Sequence, residues 1–457
     1  MADIASLLTE VLPAERVITG ERVADEFWHD ESLTATPVRP EAVVEPVSAA
    51  EVAAVLRVAR EHRFPVTARG SGTGLSGAAV PRPGGILVSF ARMNRILEID
   101  VDNHVAVVQA GVTLSQLDEA TAPHGLVYPV YPGEYSASLG GNVATNAGGM
   151  RAVKYGVTRH QVLGLEAVLG TGEVIRTGGR FVKSSSGYDL TQLIVGSEGT
   201  LALVTEAILR LYPRAAHTAT VMAPFHSLEA ITAAVPRIVA SGIGPLICEY
   251  IDSLTMAAAT AFVGLDLGVP EEVRGRAYGY LVVVLEQRRA DRLDEDVEEL
   301  AELLGVLGAS DVYVLPPHSA AQLIDAREKA FWVAKANNAD DIVDVVVPRA
   351  AIPAFMAEVA RIGERNGAWI AGCGHAGDGN VHLSVFQPDP DRRCEVMREL
   401  FRSGLAHGGA ISGEHGIGTQ KKRYFLELED PVKLELMRRI KRAFDPDGIL
   451  NPGTLID

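Results

Sequence analysis

Apolar residues recur at helical spacing along residues 48–63, SAAEVAAVLRVAREHR, where Val52, Val55, Leu56 and Ala59 form one stripe. Ser48 with Glu51 three residues later has the pattern of a capping box, so an amphipathic helix is predicted to begin there. The next segments, FPVTA, the glycine-rich RGSGTGLSG, a proline-containing connection and GILVSF, read as strand, loop and strand. VVQAGVTLSQLDEATAPHG adds a strand and a short helix, and SGYDLTQLIVGSEGTLALVTEAILRLYP ends the α/β alternation near Pro213. Further on, AYGYLVVVLEQ and DIVDVVVP read as strands. Leu293, Val297, Leu300 and Leu304 give DRLDEDVEELAELLG one apolar stripe, its acidic remainder being a solvated face. A last helix carries Met437, Ile440 and Phe444 on one side and stops at Asp445-Pro446. This pattern predicts an α+β protein. A first, α/β domain is expected over 1–214 with its core at 36–214, a second domain over 215–420, and a final segment over 421–457.

A chain of 457 residues, 47 % hydrophobic, is too long for one core and has ample apolar material for two. The net charge of -16 disfavours nucleic acid or an anionic membrane as partner. No basic n-region opens MADIASLLTEVLPAER and no apolar run reaches the ~20 residues of a membrane span, so a cytoplasmic location is expected. Cys248, Cys373 and Cys394 contain no C-x-x-C pair and offer neither a disulfide framework nor an iron-sulfur cluster. Any electrons handled by the chain leave by another route.

Gly72, Gly74 and Gly77 fit G-x-G-x-x-G, but the following AAVPRPGG carries two prolines and cannot open the helix that a nicotinamide dinucleotide fold requires. Backbone amides of such a loop can instead cradle a diphosphate, with Arg69 nearby to balance charge. A second loop, YPGEYSASLGGNVATNAGGM at 131–150, is long, polar and rich in small residues, as suits a surface against an extended ligand.

The stretch GCGHAGDGNVHLSV at 372–385 carries His375 and His382 around a hairpin signal. A two-residue turn at Asp378-Gly379 sets His375 directly opposite His382, close enough for both imidazoles to reach one metal. Asp378 is expected to shape the turn. SGEHGIGTQKKR supplies Glu414 and His415, neighbours that point apart on extended backbone, so one can bind metal while the other addresses substrate.

Four separated motifs, PVTARGSGTGLSGAAVP, YPGEYSASLGGNVATNAGG, GSEGTLALVTEA and KRAFDPDGILNPG, resemble the FAD-linked oxidases of vanillyl-alcohol oxidase type. The similarity is to the branch of glycolate oxidase D subunits, D-lactate dehydrogenases and D-2-hydroxyglutarate dehydrogenases. It implies a two-subdomain FAD-binding fold plus a substrate-binding cap with a large antiparallel sheet and flanking helices, the C-terminal segment returning to the FAD domain. It implies that Arg69, Gly70, Ser71, Gly72 and Thr73 surround the pyrophosphate. Pro132, Gly133, Ser138, Gly141, Asn142 and Thr145 are implied along pyrophosphate and flavin, Glu198, Gly199 and Val204 beside the adenosine half, and Asn451 as a further FAD contact. Relatives with covalent flavin often carry histidine where this chain has Thr73, so the FAD is expected to be non-covalent.

The same resemblance makes His375, His382 and Glu414 ligands of a divalent metal, zinc as first choice and manganese or ferrous iron as second. It makes Asn380 a substrate contact and His415 the catalytic base. Arg327, with Lys335 behind it, is the candidate anchor for a substrate carboxylate. D-2-hydroxyglutarate enzymes carry a further basic residue where ADDIVDVVVP is acidic, so a small D-2-hydroxy acid such as D-lactate or glycolate is favoured. The electron acceptor stays open among quinone, cytochrome, electron-transfer flavoprotein, an iron-sulfur subunit and oxygen, and a homodimer is among the assemblies left open. Rival readings are a D-2-hydroxyglutarate dehydrogenase, an FAD-dependent alkyl transferase, a non-haem metal oxygenase and a non-catalytic FAD-binding subunit.

Overall fold

The computed structural model describes residues 3–456. The helix Ala49–His62 forms where its stripe predicts, with Ser48 Oγ accepting the Glu51 amide and Val52, Val55, Leu56 and Ala59 all buried. The capping box is only half made: the Glu51 carboxylate accepts from the amide of Val47 and pairs with Arg16 instead. This helix packs with a four-stranded sheet ordered Val17–Thr19, Ala42–Val44, Ile86–Ser89, Val66–Arg69. Its last three strands are parallel, short and largely buried, Thr67, Arg69 and Ser89 being the polar residues among them. The glycine-rich loop is the connection between Val66–Arg69 and Ile86–Ser89.

A second, five-stranded antiparallel sheet follows, in the order Ile96–Asp100, Val105–Gln109, Ala202–Arg210, Val162–Leu169, Val174–Gly178. The third sheet has seven antiparallel strands: Tyr313–Leu315, His217–Phe225, Gly279–Gln287, Ile247–Asp252, Trp369–His375, Asn380–Phe386 and Asp341–Val346. Strand alternation divides its two faces. Val343, Val345, Val381, Leu383 and Val385 join the large core shared with Ile352–Asn366 and Pro390–Ala406. Asp344 and His382 stand on the opposite face, which carries the site.

The final segment does not simply return to the first domain. Tyr424, Phe425 and Leu434 pack into the large core of the third sheet. Ile449 and Leu450 cross back to the first sheet, where Leu450 bridges Val66. Among the described residues no helix is long and apolar enough to cross a membrane.

Candidate active site

Two cavities meet at Leu75, Pro132, Glu414 and His415, which line both. The first runs between the two glycine-rich loops. Gly70, Ser71, Gly72 and Thr73 line it from the first loop, Ser138, Gly141, Asn142 and Thr145 from the second, and Glu198, Gly199 and Val204 complete the lining. Two of its glycines, Gly74 and Gly199, face open space, whereas Gly70 lies against Ser138, Gly72 against Arg69 and Gly140 against Ala110. A Cβ added at Gly74 would meet only Asp30 Oδ2, at 3.6 Å, and one at Gly199 nothing closer than Ala68 Cβ at 3.8 Å. Asn142 Nδ2 is buried on this wall without a hydrogen-bond partner. A buried donor in that state needs an acceptor from a ligand, so the wall fits an extended, oxygen-rich cofactor such as FAD.

Three expected cofactor residues stand elsewhere. Arg69 is buried behind the loop, donating from Nη1 to the His29 carbonyl at 2.6 Å, and lines neither cavity. Asn451 is a brace: its Nδ2 donates to the carbonyls of Ala78 and Glu198, both at 2.8 Å, and it too is outside the cavity walls. Gly133 lines the second cavity only. Glu198 lines the first cavity, but its carboxylate also accepts from the amides of Ile417 and Gly418 at 2.8 and 2.7 Å, so it anchors the loop that presents His415. Burial pushes its carboxyl up to about 7.

The histidine hairpin has a different register from the one expected. The loop holds four residues, 376–379, with the amides of Asp378 and Gly379 donating to the His375 carbonyl. His375 therefore pairs with Asn380, and His382 with Cys373. The histidines are diagonal rather than opposed, yet still share a face, because a shift of two residues preserves the side where a shift of one reverses it. Their ring centroids lie 4.7 Å apart. Asp378 Oδ1 accepts the Asn380 amide inside the turn.

Both Nε2 atoms converge on Glu414 Oε1, each at 3.1 Å. Two imidazoles and a carboxylate with ligating atoms within 4.8 Å of one another suit a divalent metal. The alternative trio Asp344, His382 and His415 is looser, with Nδ1-to-carboxylate distances of 3.8 and 3.9 Å, and Asp344 is already engaged. Its Oδ2 accepts Ser412 Oγ and the amides of Gly413, Glu414 and His415, and its Oδ1 accepts Asn380 Nδ2. Burial opposes ionisation of Asp344, but the imidazoles of His415 and His382 and the Lys421 ammonium outweigh it and hold the carboxyl below its usual range.

Asn380, expected on the substrate, is thus buried against Asp344 and the Val345 carbonyl and lines no cavity. Lys335 is also displaced. It is 42 % exposed and bonds Glu31 at 2.7 Å, because its helix turns Ala334 rather than Lys335 to the cavity. Arg327 does line the second cavity, but it lies 2.7 Å from Glu249 Oε2 as an ion pair. That contact lacks hydrogen-bond alignment and leaves Nε and Nη2 without partners.

Glu249, Asp344, Glu328 and Tyr131 carry no local signal in the sequence. Glu249 is wholly buried and bonds His375 Nδ1 at 2.6 Å, which turns His375 Nε2 towards Glu414. Burial works against a charged His375, but Glu249 and Glu414 hold its pKa well above the ordinary value, while His375 holds Glu414 low despite burial. A positive charge is therefore favoured at the point where a metal would sit. His415 stacks on His382 with centroids 5.1 Å apart, and its Nδ1, 3.9 Å from Asp344 Oδ2, makes no hydrogen bond. Burial pulls its pKa down to about 4, Asp344 offsetting part of the effect, so the imidazole is neutral at pH 7.

A glycine-walled cofactor cleft joined to a histidine–carboxylate pocket defines a flavoprotein oxidoreductase. The chain belongs to the FAD-linked oxidase family: residues 214–455 match the family described as FAD linked oxidases, C-terminal domain, and residues 40–178 match the FAD binding domain. It is 56% identical over 455 residues to a Mycobacterium tuberculosis protein named "Uncharacterized FAD-linked oxidoreductase", covering 100% of this chain and 99% of that one. It is 37% identical to the D-lactate dehydrogenase of Anaerostipes hadrus over 98% of this chain and 95% of that one. The solved structure of p-cresol methylhydroxylase with substrate bound superposes with a TM-score of 0.82 at 19% identity, over 99% of this chain and 96% of that chain.

Proposed function

We propose that the protein is a metal-dependent dehydrogenase that oxidises a small 2-hydroxy monocarboxylate of the D-lactate or glycolate type to the 2-oxo acid. The observation that carries this reading is that Glu414 and His415 line both cavities, so the histidine–carboxylate cluster and the cofactor cleft act on one substrate. The name of the D-lactate dehydrogenase relative supports the substrate class and its hand.

Non-covalent FAD, when bound, supplies a ring that accepts hydride, and a divalent cation, zinc as first choice, supplies a Lewis acid for the substrate's hydroxyl and carboxylate oxygens. His375, His382 and Glu414 hold the cation. Arg327, with partly unsatisfied donors on the same cavity wall, orients the carboxylate. His415 takes the hydroxyl proton at Nε2, because its Nδ1 is buried towards Asp344. The α-carbon then gives up its hydride as the carbonyl forms. A separate acceptor, such as a quinone, cytochrome, electron-transfer flavoprotein or iron-sulfur subunit, removes the two electrons.

The direct test is anaerobic mixing of the holoenzyme with D- and L-2-hydroxy acids. D-lactate or glycolate is expected to bleach the flavin absorbance, and a protein whose flavin stays oxidised with every acid offered is not this dehydrogenase.

A pH effect follows from Glu328, which lines the same cavity beside Arg327 and accepts a hydrogen bond from Tyr131 Oη at 2.5 Å. Burial pushes its carboxyl up to about 7, so it is neutral below that pH and adds a negative charge above it. Binding of an anionic substrate should weaken as pH rises, KM increasing up to about tenfold between pH 6.5 and 8. In Glu328→Gln the rise should vanish, and an unchanged KM profile in that variant would assign the effect elsewhere.

A further inference from the structure

The second cavity, about 480 Å³, is larger than its polar end requires. Its long wall is one sheet face, read in register as the pairs Cys373 with His382, Ala371 with Ser384, and Trp369 with Phe386. Ile342 extends that face, opposite Ser384 on the next strand. The charged and imidazole groups are gathered at one end, Ser384 being the polar side chain on the wall itself. Four residues along, roughly 13 Å at the rise of a strand, the face ends in the rings of Trp369 and Phe386, with centroids 4.4 Å apart. Phe331 on the helix Ala330–Ala336 and Leu254 on the helix Ser253–Val263 also line this space. Trp369 is 54% and Leu254 61% exposed, an arrangement of large apolar side chains that leaves area for a ligand to cover. Among the described residues Arg327 is the one Lys or Arg lining the cavity, and it is paired to Glu249 at the polar end.

We propose that the site takes 2-hydroxy acids with a long or bulky apolar side chain, aliphatic from about four carbons upward or aromatic, laid along this wall. The inference rests on the dehydrogenase reading above and extends its substrate to larger side chains. The hydroxyl and carboxylate stay at the histidine end, and the α-carbon loses a hydride to the flavin and the hydroxyl its proton to His415, while the side chain is unchanged. Lactate occupies only the polar end and leaves the wall wet. Each methylene moved from water onto the wall favours binding about fourfold. A side chain ending in a carboxylate places an unpaired charge against apolar residues and is disfavoured.

The test uses the enzyme loaded with FAD and metal. Anaerobic flavin reduction is measured with D-2-hydroxy acids bearing methyl, ethyl, propyl, butyl and benzyl side chains, and with D-2-hydroxyglutarate. Efficiency should rise roughly 60-fold from methyl to butyl, with benzyl above methyl and 2-hydroxyglutarate no better than methyl. Calorimetric titration with saturated straight-chain carboxylates from acetate to octanoate, which needs no turnover, should show Kd tightening with chain length. Ala371→Trp, which fills the wall, should abolish that trend. A series in which lactate is best and carboxylate affinity does not depend on chain length overturns the inference and leaves the dehydrogenase reading standing. Flavin that no member of the series reduces overturns both.

Discussion

His382→Ala is expected to keep its flavin spectrum and lose its metal, with turnover falling more than ~100-fold. His382 lines the second cavity and not the cofactor cleft, so flavin binding has no direct dependence on its ring. Its Nε2 is one of two imidazole nitrogens converging on Glu414 Oε1, and removing it leaves a carboxylate and a single histidine. Two protein ligands hold a divalent ion far less well than three. The hairpin itself should survive, because Cys373 still pairs with residue 382 through backbone bonds and Asn380 still braces Asp344. Elemental analysis of the purified variant decides the matter: metal at wild-type stoichiometry would remove His382 from the ligand set.

His415→Ala is expected to retain both flavin and metal while flavin reduction by substrate slows by ~10²–10⁴-fold, the range for loss of a positioned general base. The backbone at this position is held independently of the side chain, since the residue 415 amide donates to Asp344 Oδ2 at 2.7 Å and Glu198 pins the two residues after Gly416. Glu414 therefore stays in place, its own amide fixed to the same Asp344 oxygen at 3.0 Å. What disappears is the neutral imidazole between the two cavities. Stopped-flow absorbance at saturating substrate isolates this step, and reduction within a few-fold of wild type would give the proton to another group.

These two histidines show how much could be read along the chain. The pair His375 and His382 was legible because glycines and Asp378 mark a hairpin, and a hairpin brings separated residues to one face. Its register was not legible, since a four-residue loop and a two-residue loop fit the same sequence and both keep the face. The loops at 70–74 and 138–145 were legible as cofactor walls because runs of glycine, serine and threonine of that length suit backbone lying against an extended ligand. Arg69 adjoins the first loop in sequence and Asn451 lies in the C-terminal motif, yet both side chains point into the protein, where the carbonyls of His29, Ala78 and Glu198 take their hydrogen bonds.

Local pattern also hid the groups that orient the site. In DIVDVV, alternation places Asp344 opposite in direction to Val343 and Val345, but whether that side meets water or a buried cluster depends on which strands lie beside it. The sheet order puts Asn380–Phe386 next to Asp341–Val346, and Ile247–Asp252 next to Trp369–His375. Asp344 thereby reaches the 412–415 loop, and Glu249 reaches His375 from 126 residues away.

The sequence by itself determined the elements, the two glycine-walled loops, the histidine hairpin and the family resemblance, because each is written in residue spacing over a short range. The tertiary structure alone decided which carboxylates support the histidines, that Asn380 and Lys335 face away from the cavity, and that an apolar wall extends from the polar end. Those outcomes depend on strand order and on contacts between residues from 36 to 304 positions apart, and no local periodicity encodes either.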